Sequence, residues 1–433
     1  MTILTVGSNN PAFSFVVSKN PATIRDSNTP FKRSVRKGVV YCWFTKPDDS
    51  EFRLWFKDHE HQSSFADGFS DEFEYLDRSR YGSPYAPIAI ITECLGSASK
   101  EANELDVSDG TKSAYASTTI LIANQAYLSR MIVQYAEIAD ITSEVLIGQT
   151  YYSNLTVRAY TVHEALNILQ TICIMQALAD KNTYVPMKED GLLKFSKVFN
   201  RACSPYFPRY LFKVRAIQNR DTFDKVKGDL EGAGMHFAFG DTRQQRFDAI
   251  REQLLGSKAE TLLDIGCGEM FHALRLQKQY ETIYAIDADE DMASNNEGKL
   301  KGRDIEGVVS IHSRVDLGWI ADNQSLIENS DVLMTEVLEH IEKDESDQVL
   351  FQILASNPNR VVVTVPNQDF NVYYAIPSGE MRHDDHKWEP TFEEFSDSMV
   401  SFAAEANYQV SVLPVGDNVD DTSVSILAVF TRK

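Results

Sequence analysis

The chain has 433 residues, 43% hydrophobic and 24% charged. At roughly 100–200 residues per domain this composition predicts two or three globular domains and excludes a disordered or fibrous chain. The net charge of −21 argues against a protein that holds nucleic acid through its overall field. The acidity is uneven: residues 231–433 carry 37 acidic and 16 basic side chains, and residues 1–230 carry 26 of each. An acidic half suits a bound cation, and any nucleic-acid contact would then rely on local basic patches and the metal. The start, MTILTVGSNNPAF, lacks the basic and apolar regions of a signal peptide. No window holds about 18 uninterrupted apolar residues, so no membrane partner is expected. Cys42, Cys94, Cys173, Cys203 and Cys267 form no CxxC pair, which predicts reduced thiols, a cytoplasmic location and no zinc ribbon.

In chain order, KGVVYCWFT and EFRLWFK read as strands joined by the turn KPDDS. KDHEHQ (57–62) carries Asp58, His59, Glu60 and His61, but consecutive loop side chains point in different directions and make a poor ligand set. SSFADGFSDEFEYLDRSRYG (63–82) reads as a helix. The polar run SKEANELDVSDGTKSAYAS predicts a break between two subdomains. TVHEALNILQTICIMQALADK has helical spacing of apolar residues, with Thr161 as N-cap. PFKRSVRKG and RYLFKVRAIQNR set basic residues beside aromatics or Pro, a pattern for salt-dependent RNA contact or for solvated basic faces. These features predict an α+β region over residues 1–235 that binds a partner or RNA.

Residues 236–433 alternate more regularly. ETLLDIGCG, TIYAIDAD, VVSIHSRV, SDVLMT and RVVVTVP read as strands separated by helices, and YQVSVLPV with SVSILAVFTRK as a closing hairpin. This rhythm predicts an α/β, Rossmann-like doubly wound sheet with an antiparallel edge. EVLEHIEKDESDQVLFQIL is predicted as one helix after SDVLMT.

LLDIGCGE places Asp264 at a strand end before Gly266 and Gly268, where backbone can approach a ligand closely. Asp287 ends the next strand, 19 residues after Gly268, near the ~20 expected of a carboxylate that accepts ribose hydroxyls. A dinucleotide or S-adenosyl-L-methionine fits, and a tight turn without a ligand is the plain alternative. The third glycine of GxGxxG is missing, and Asp-Ile-Gly-Cys-Gly resembles class I methyltransferases. Glu336, Glu339 and His340, at i, i+3 and i+4, are predicted to share one helix face at the same sheet edge. Crowded carboxylates repel unless a cation joins them, and two oxygens with an imidazole suit Mg²⁺ or Mn²⁺ better than zinc. A solvated helix face is the competing reading. The loop after RVVVTVP brings Arg382, His383, Asp384, Asp385, His386 and Lys387 to that edge.

EVLEHI, VPNQDFN and RHDDHKWEPTFEEF together resemble the small-RNA 3′-terminal ribose 2′-O-methyltransferases, through their E-x-x-E-H and D-H-K-[FW]-E-x-T patterns. The resemblance spans roughly 240–433. It implies a methyltransferase domain over residues 236–433, with a metal held by Glu336, Glu339, His340 and His386. It also implies cofactor contacts at Asp264, Gly266, Gly268, Asp287 and, more weakly, Ser313, with Arg382 meeting the RNA end. A divalent ion would lower the pKa of the 2′-hydroxyl, and chelation by both terminal hydroxyls would require a free 2′,3′-diol. Glu336 and His340 would be catalytic through the metal, and His383 or His386 would help remove the proton. Pro390 departs from the family, whose eukaryotic members have Trp there. FSFVVSKNPATI, FEYLDRSRYGSPYAPIAIITECLGSA and YLFKVRAI are similar to the N-terminal half of the bacterial, two-part members. That similarity implies a polynucleotide kinase-phosphatase/ligase partner and a role in RNA repair. The competing readings are a class I methyltransferase acting on another substrate, and a scaffold that activates a repair enzyme.

Overall fold

The computed structural model describes residues 3–25, 29–35, 38–58, 82–146, 152–180, 189–232 and 234–433. It divides into two units, Met1–Ala233 and Gly234–Lys433. The helix expected over 63–82 and the His59, Glu60, His61 cluster lie outside the described residues, except for Gly82.

Among the described residues the first unit is built on seven strands: β1 (Ile3–Gly7), β2 (Phe31–Val35), β3 (Gly38–Phe44), β4 (Glu51–Asp58), β5 (Ala114–Leu121), β6 (Ala139–Val145) and β7 (Tyr152–Ala159). They form one sheet of order β2-β3-β4-β1-β5-β7-β6 in which every described pairing is antiparallel. The expected hairpin of β3 and β4 is present. The subdomain break expected at the polar run is not: that run leads into β5, which pairs with β1 and β7 inside the same sheet. The apolar alternation of AYASTTIL places every second side chain in the core, which fixes the strand there. Asp106, from the polar run, accepts the Val162 and His163 amides and ties the run to the next helix.

That helix, Val162–Ala179, begins at Thr161 through a capping box with Glu164. It is buried over most of its length, so apolar residues surround it rather than forming one stripe. RYLFKVRAIQNR does not form a basic surface throughout: Arg209 and Lys213 are only 2% and 1% exposed. Arg209 donates to the carbonyls of Phe199, Ser204 and Leu230 and so closes loop and helix ends inside the unit.

The second unit carries β8 (Met235–His236), β9 (Thr261–Ile265), β10 (Thr282–Asp287), β11 (Val308–His312), β12 (Asp331–Thr335), β13 (Arg360–Pro366), β14 (Tyr408–Val419) and β15 (Thr422–Arg432). Their order is β11-β10-β9-β12-β13-β15-β14-β8, parallel from β11 to β13 and antiparallel beyond. Asp420 and Asp421, both at positive φ (48° and 64°), make the tight turn of the closing hairpin. The central strands are apolar runs because both faces are covered, by a cluster around Ile265, Met334 and Val363 and another around Leu262, Leu333 and Val362. Each such side chain contributes about 1.5–3 kcal/mol by leaving water. The strand order reverses between β9 and β12, and their carboxyl ends open the crevice where doubly wound sheets bind ligands.

EVLEHIEKDESDQVLFQIL is not one helix. Glu336 turns into the left-handed region (φ 54°), Leu338–His340 form a single 3-10 turn, and the helix proper is Lys343–Ala355. The Trp388 indole donates to the carbonyls of Leu338 and Ile341, and the Lys387 amide to that of Glu339. These carbonyls would have been internal acceptors of a continuous helix. Among the described residues no helix is long and apolar enough to cross a membrane.

Candidate active site and metal centre

The Gly turn follows β9. Gly266 has φ 68°, and a Cβ there would lie 2.4 Å from Val337 Cγ2, so the chain needs glycine to let the β12 loop pass. Gly268, φ 49°, faces open space: nothing lies within 4 Å of a Cβ built on it. Its amide donates to Asp287 Oδ2 at 2.8 Å, and the Asp289 amide donates to Asp287 Oδ1 at 3.0 Å. The Ser313 amide is bonded to the Asp287 carbonyl at 2.9 Å, which holds the β11 loop beside this corner. Asp264 is buried. Its Oδ2 accepts from the Ala273 amide at 3.2 Å, while Oδ1 has no partner among the described residues. Burial pushes its carboxyl up to about 7; the Ala273 bond opposes this and the Asp287 charge adds to it. An orphaned buried carboxylate oxygen beside an open glycine fits a ligand carrying an ammonium group, as S-adenosylmethionine does.

Glu339, His340 and His386 come together at the end of β12: one ligand atom from each lies within 4.8 Å of the others. Glu339 is fully buried and both its carboxylate oxygens lack a hydrogen-bond partner among the described residues. Burial, and then the charge of Glu336, raises its pKa well above the ordinary range. A carboxylate stands beside each imidazole. His340 Nδ1 lies 3.2 Å from the exposed Asp385, and His386 Nδ1 is hydrogen-bonded to the buried Glu389 at 2.5 Å. The Glu389 bond orients the His386 ring and leaves its Nε2 for a ligand, an arrangement common behind metal-bound histidines. Burial lowers the His340 pKa, which keeps its ring neutral and able to ligate. A carboxylate that no donor satisfies, beside two imidazoles, fits a divalent cation.

Glu336 stands outside this group. Its carboxylate accepts from Arg246 at 2.9 Å and from the Thr364 hydroxyl at 3.3 Å. His383 is exposed, with its ring 5.1 Å from that of His386. Arg382 is spent largely on the chain itself: Nε donates to Asn371 at 2.6 Å, Nη1 to the Val424 carbonyl at 2.9 Å and Nη2 to the Asn367 carbonyl. Two important residues escaped the sequence reading. Glu389 accepts from His386, from Asn371 at 2.6 Å and from the Arg382 amide at 2.8 Å. Burial raises its pKa, but these bonds outweigh that and hold its carboxyl below the ordinary value. Its place three residues after His386 is the signal that would have found it. Arg246, which holds Glu336, lies 90 residues away in sequence and carries no such signal.

A parallel sheet that reverses at a Gly turn, extended by an antiparallel hairpin, is the class I methyltransferase fold. Residues 3–234 match the family model of the Hen1 N-terminal domain, and the chain belongs to the Hen1 family. It is 25% identical over 211 residues to a small RNA 2′-O-methyltransferase of Arabidopsis thaliana, a match covering 44% of this chain and 22% of the relative. It is 27% identical over 177 residues to a small RNA 2′-O-methyltransferase of Caenorhabditis elegans, covering 35% and 39%. The matched region thus spans well under half the length of these curated relatives. A chain of the solved Pnkp1/Rnl/Hen1 RNA repair complex superimposes with a TM-score of 0.76 at 21% identity, covering 99% of this chain and 100% of that one.

Proposed function

We propose that the chain is an RNA 3′-terminal ribose 2′-O-methyltransferase that uses S-adenosyl-L-methionine and Mg²⁺ or Mn²⁺. The observation that carries this reading is the buried Glu339 carboxylate, unsatisfied on both oxygens and flanked by His340 and His386 at the edge that carries the Gly turn. The named activity of the two curated relatives supports it. Glu339, His340 and His386 would hold the metal, with Glu336 as the fourth ligand. Bound there, a divalent cation supplies Lewis-acid lowering of a hydroxyl pKa, and S-adenosylmethionine supplies an electrophilic methyl group.

The chain's own residues do the rest. Gly266 and Gly268 bring backbone close to the cofactor, Asp287 accepts ribose hydroxyls, Asp264 meets the ammonium group and Ser313 borders the adenosine. Glu389 fixes the His386 ring, so that part of the ligand geometry is set before substrate arrives. His383 is the residue we assign to proton removal, because His386 cannot act as a free base while its remaining nitrogen is given to a metal. Arg382 retains guanidinium protons toward the RNA end while its other donors anchor the loop. The substrate is RNA with a free 3′-terminal 2′,3′-diol. Through residues 1–235 the chain would join a polynucleotide kinase-phosphatase/ligase and act in RNA repair, a reading supported by its likeness over nearly the whole chain to a member of the repair complex.

The test is transfer of labelled methyl to a short diol-ended RNA, with and without chelator, by the wild type and by Glu336→Ala. Chelation should abolish transfer and Mn²⁺ restore it. Glu336→Ala should lose transfer while retaining cofactor binding. Chelator-insensitive transfer, or equal loss of transfer and cofactor binding in Glu336→Ala, would refute the metal assignment.

A further inference from the structure

The first unit contains a cavity of about 650 Å³ that the site above does not use. Its floor is apolar: Val40 and Cys42 of β3 and Phe52 and Leu54 of β4 are each 1–6% exposed. The register explains why. Phe31 of β2 pairs with Cys42, Arg33 with Val40, and Cys42 with Leu54, so these side chains share one face of the sheet. Phe31 therefore lies over the floor and Arg33 stands at its edge, while Lys32 and Ser34 alternate to the other face.

The rim has the opposite chemistry. Among the described residues, Lys19, Arg33 and Lys100 line it against a single acidic residue, Glu93. All three cations are exposed, and among the described residues none has an ion-pair partner. Hydroxyl and amide groups stand between them, from Asn20, Thr23, Thr92 and Ser97 among others. Burial raises the thiols of Cys42 and Cys94 to about 11 and about 12, and in both the Arg33 charge pulls the other way. The guanidinium field therefore reaches the cavity interior.

A bare inorganic anion would leave the apolar floor uncovered, and a lipid tail would have no use for the ring of hydroxyl and amide groups. A flat ring on a polar sugar with a phosphate at one end matches all three layers, and the volume suits a ligand of that size. We propose that this cavity binds a nucleoside phosphate, with the base over Phe31 and the β3–β4 floor and the phosphate among Lys19, Arg33 and Lys100. The phosphate is met by charge-assisted hydrogen bonds, for which the planar Arg33 fork is suited. The ligand has two sources, a free nucleotide or the phosphorylated end of an RNA. The inference does not depend on the methyltransferase reading, because every residue in it belongs to the first unit.

Calorimetric titration of the full chain with AMP, with adenosine and with a 5′-phosphorylated RNA trinucleotide tests it, using wild type, Arg33→Gln and Lys32→Gln. AMP or the trinucleotide should bind, and Arg33→Gln should weaken that binding roughly ten- to hundredfold. Lys32→Gln, whose side chain faces away, should leave it unchanged. Adenosine should bind more weakly and show no dependence on Arg33. Binding of AMP assigns the free nucleotide, and binding of the trinucleotide alone assigns the RNA end. Absence of binding by both up to about 1 mM, equal binding by Arg33→Gln, or Arg33-dependent binding of octanoate in place of AMP would overturn the proposal. Because Arg33 belongs to the first unit and the Gly turn to the second, heat from cofactor-site binding should not follow its substitution.

Discussion

Glu339→Gln separates a structural carboxylate from a metal ligand. Glu339 is 0% exposed with both oxygens unpartnered among the described residues, and its pKa is raised by burial and then by Glu336. An unpaired buried polar atom costs about 1–3 kcal/mol, so the two oxygens hold about 2–6 kcal/mol that a cation can recover. A metal at a hundred times its Kd stabilises the fold by about 2.7 kcal/mol. For a unit of this size that corresponds to a rise in Tm of about 5–11 °C. The assay is differential scanning calorimetry of the full chain with and without MnCl₂. The wild type should show the rise in one transition. Glu339→Gln should lose it, while its metal-free Tm should be no lower than that of the wild type, since an amide has no charge to bury. A retained Mn²⁺ response would place the ion elsewhere. A metal-free Tm well below the wild type would make the carboxylate structural, and either result would refute the reasoning.

Glu389→Gln removes the charged partner 2.5 Å from His386 Nδ1 and should weaken Mn²⁺ binding roughly ten- to hundredfold by titration calorimetry, the usual cost of losing such a carboxylate. Asp264, raised to about 7 by burial, has a folded pKa above its unfolded value of about 3.9. Its contribution to stability is therefore full below about pH 4 and is lost as pH rises through about 7, by up to roughly 4 kcal/mol. In urea unfolding without cofactor, the wild type should lose stability relative to Asp264→Asn between pH 5 and pH 8, and a gap independent of pH would contradict this. Gly266→Ala meets Val337 Cγ2 at 2.4 Å in a left-handed backbone and should cost about 1–3 kcal/mol in urea unfolding, partly recovered by Val337→Ala. Gly268→Ala meets nothing within 4 Å, so beyond the cost of about 1–2 kcal/mol for a left-handed backbone it should lower cofactor affinity, measured by S-adenosylhomocysteine titration.

The second unit was legible because its central strands are buried on both faces and read as uninterrupted apolar runs, as in RVVVTVP and SDVLMT. Thr161 announced the buried helix by local chemistry alone, and the structure adds Glu164 as its partner in the cap. What failed to show depends on contacts between distant residues. The spacing of Glu336, Glu339 and His340 suits a helix, yet Trp388 and Lys387 take the carbonyls that helix would need. Arg209 and Lys213 read as a basic face until the fold turns them inward to satisfy carbonyl groups and pack among aromatics. The polar run before β5 looked like a break because Asp106 finds its amide partners 56 and 57 residues further on. At the candidate site, the sequence supplied the ligand types, whereas Arg246, which holds Glu336 from 90 residues away, acquired meaning only from the fold.

A metal at Glu339, His340 and His386 would read the free end of an RNA. The most direct measurement is methyl transfer in Mn²⁺ to three RNAs of one sequence, ending in a 2′,3′-diol, a 3′-phosphate or a 2′-deoxynucleoside, with the product digested and its terminal nucleoside identified by mass spectrometry. A single methyl on the terminal 2′-oxygen of the diol RNA and none on the other two is the expected result. Equal methylation of all three, or a methyl found on a base or an internal ribose, would contradict it.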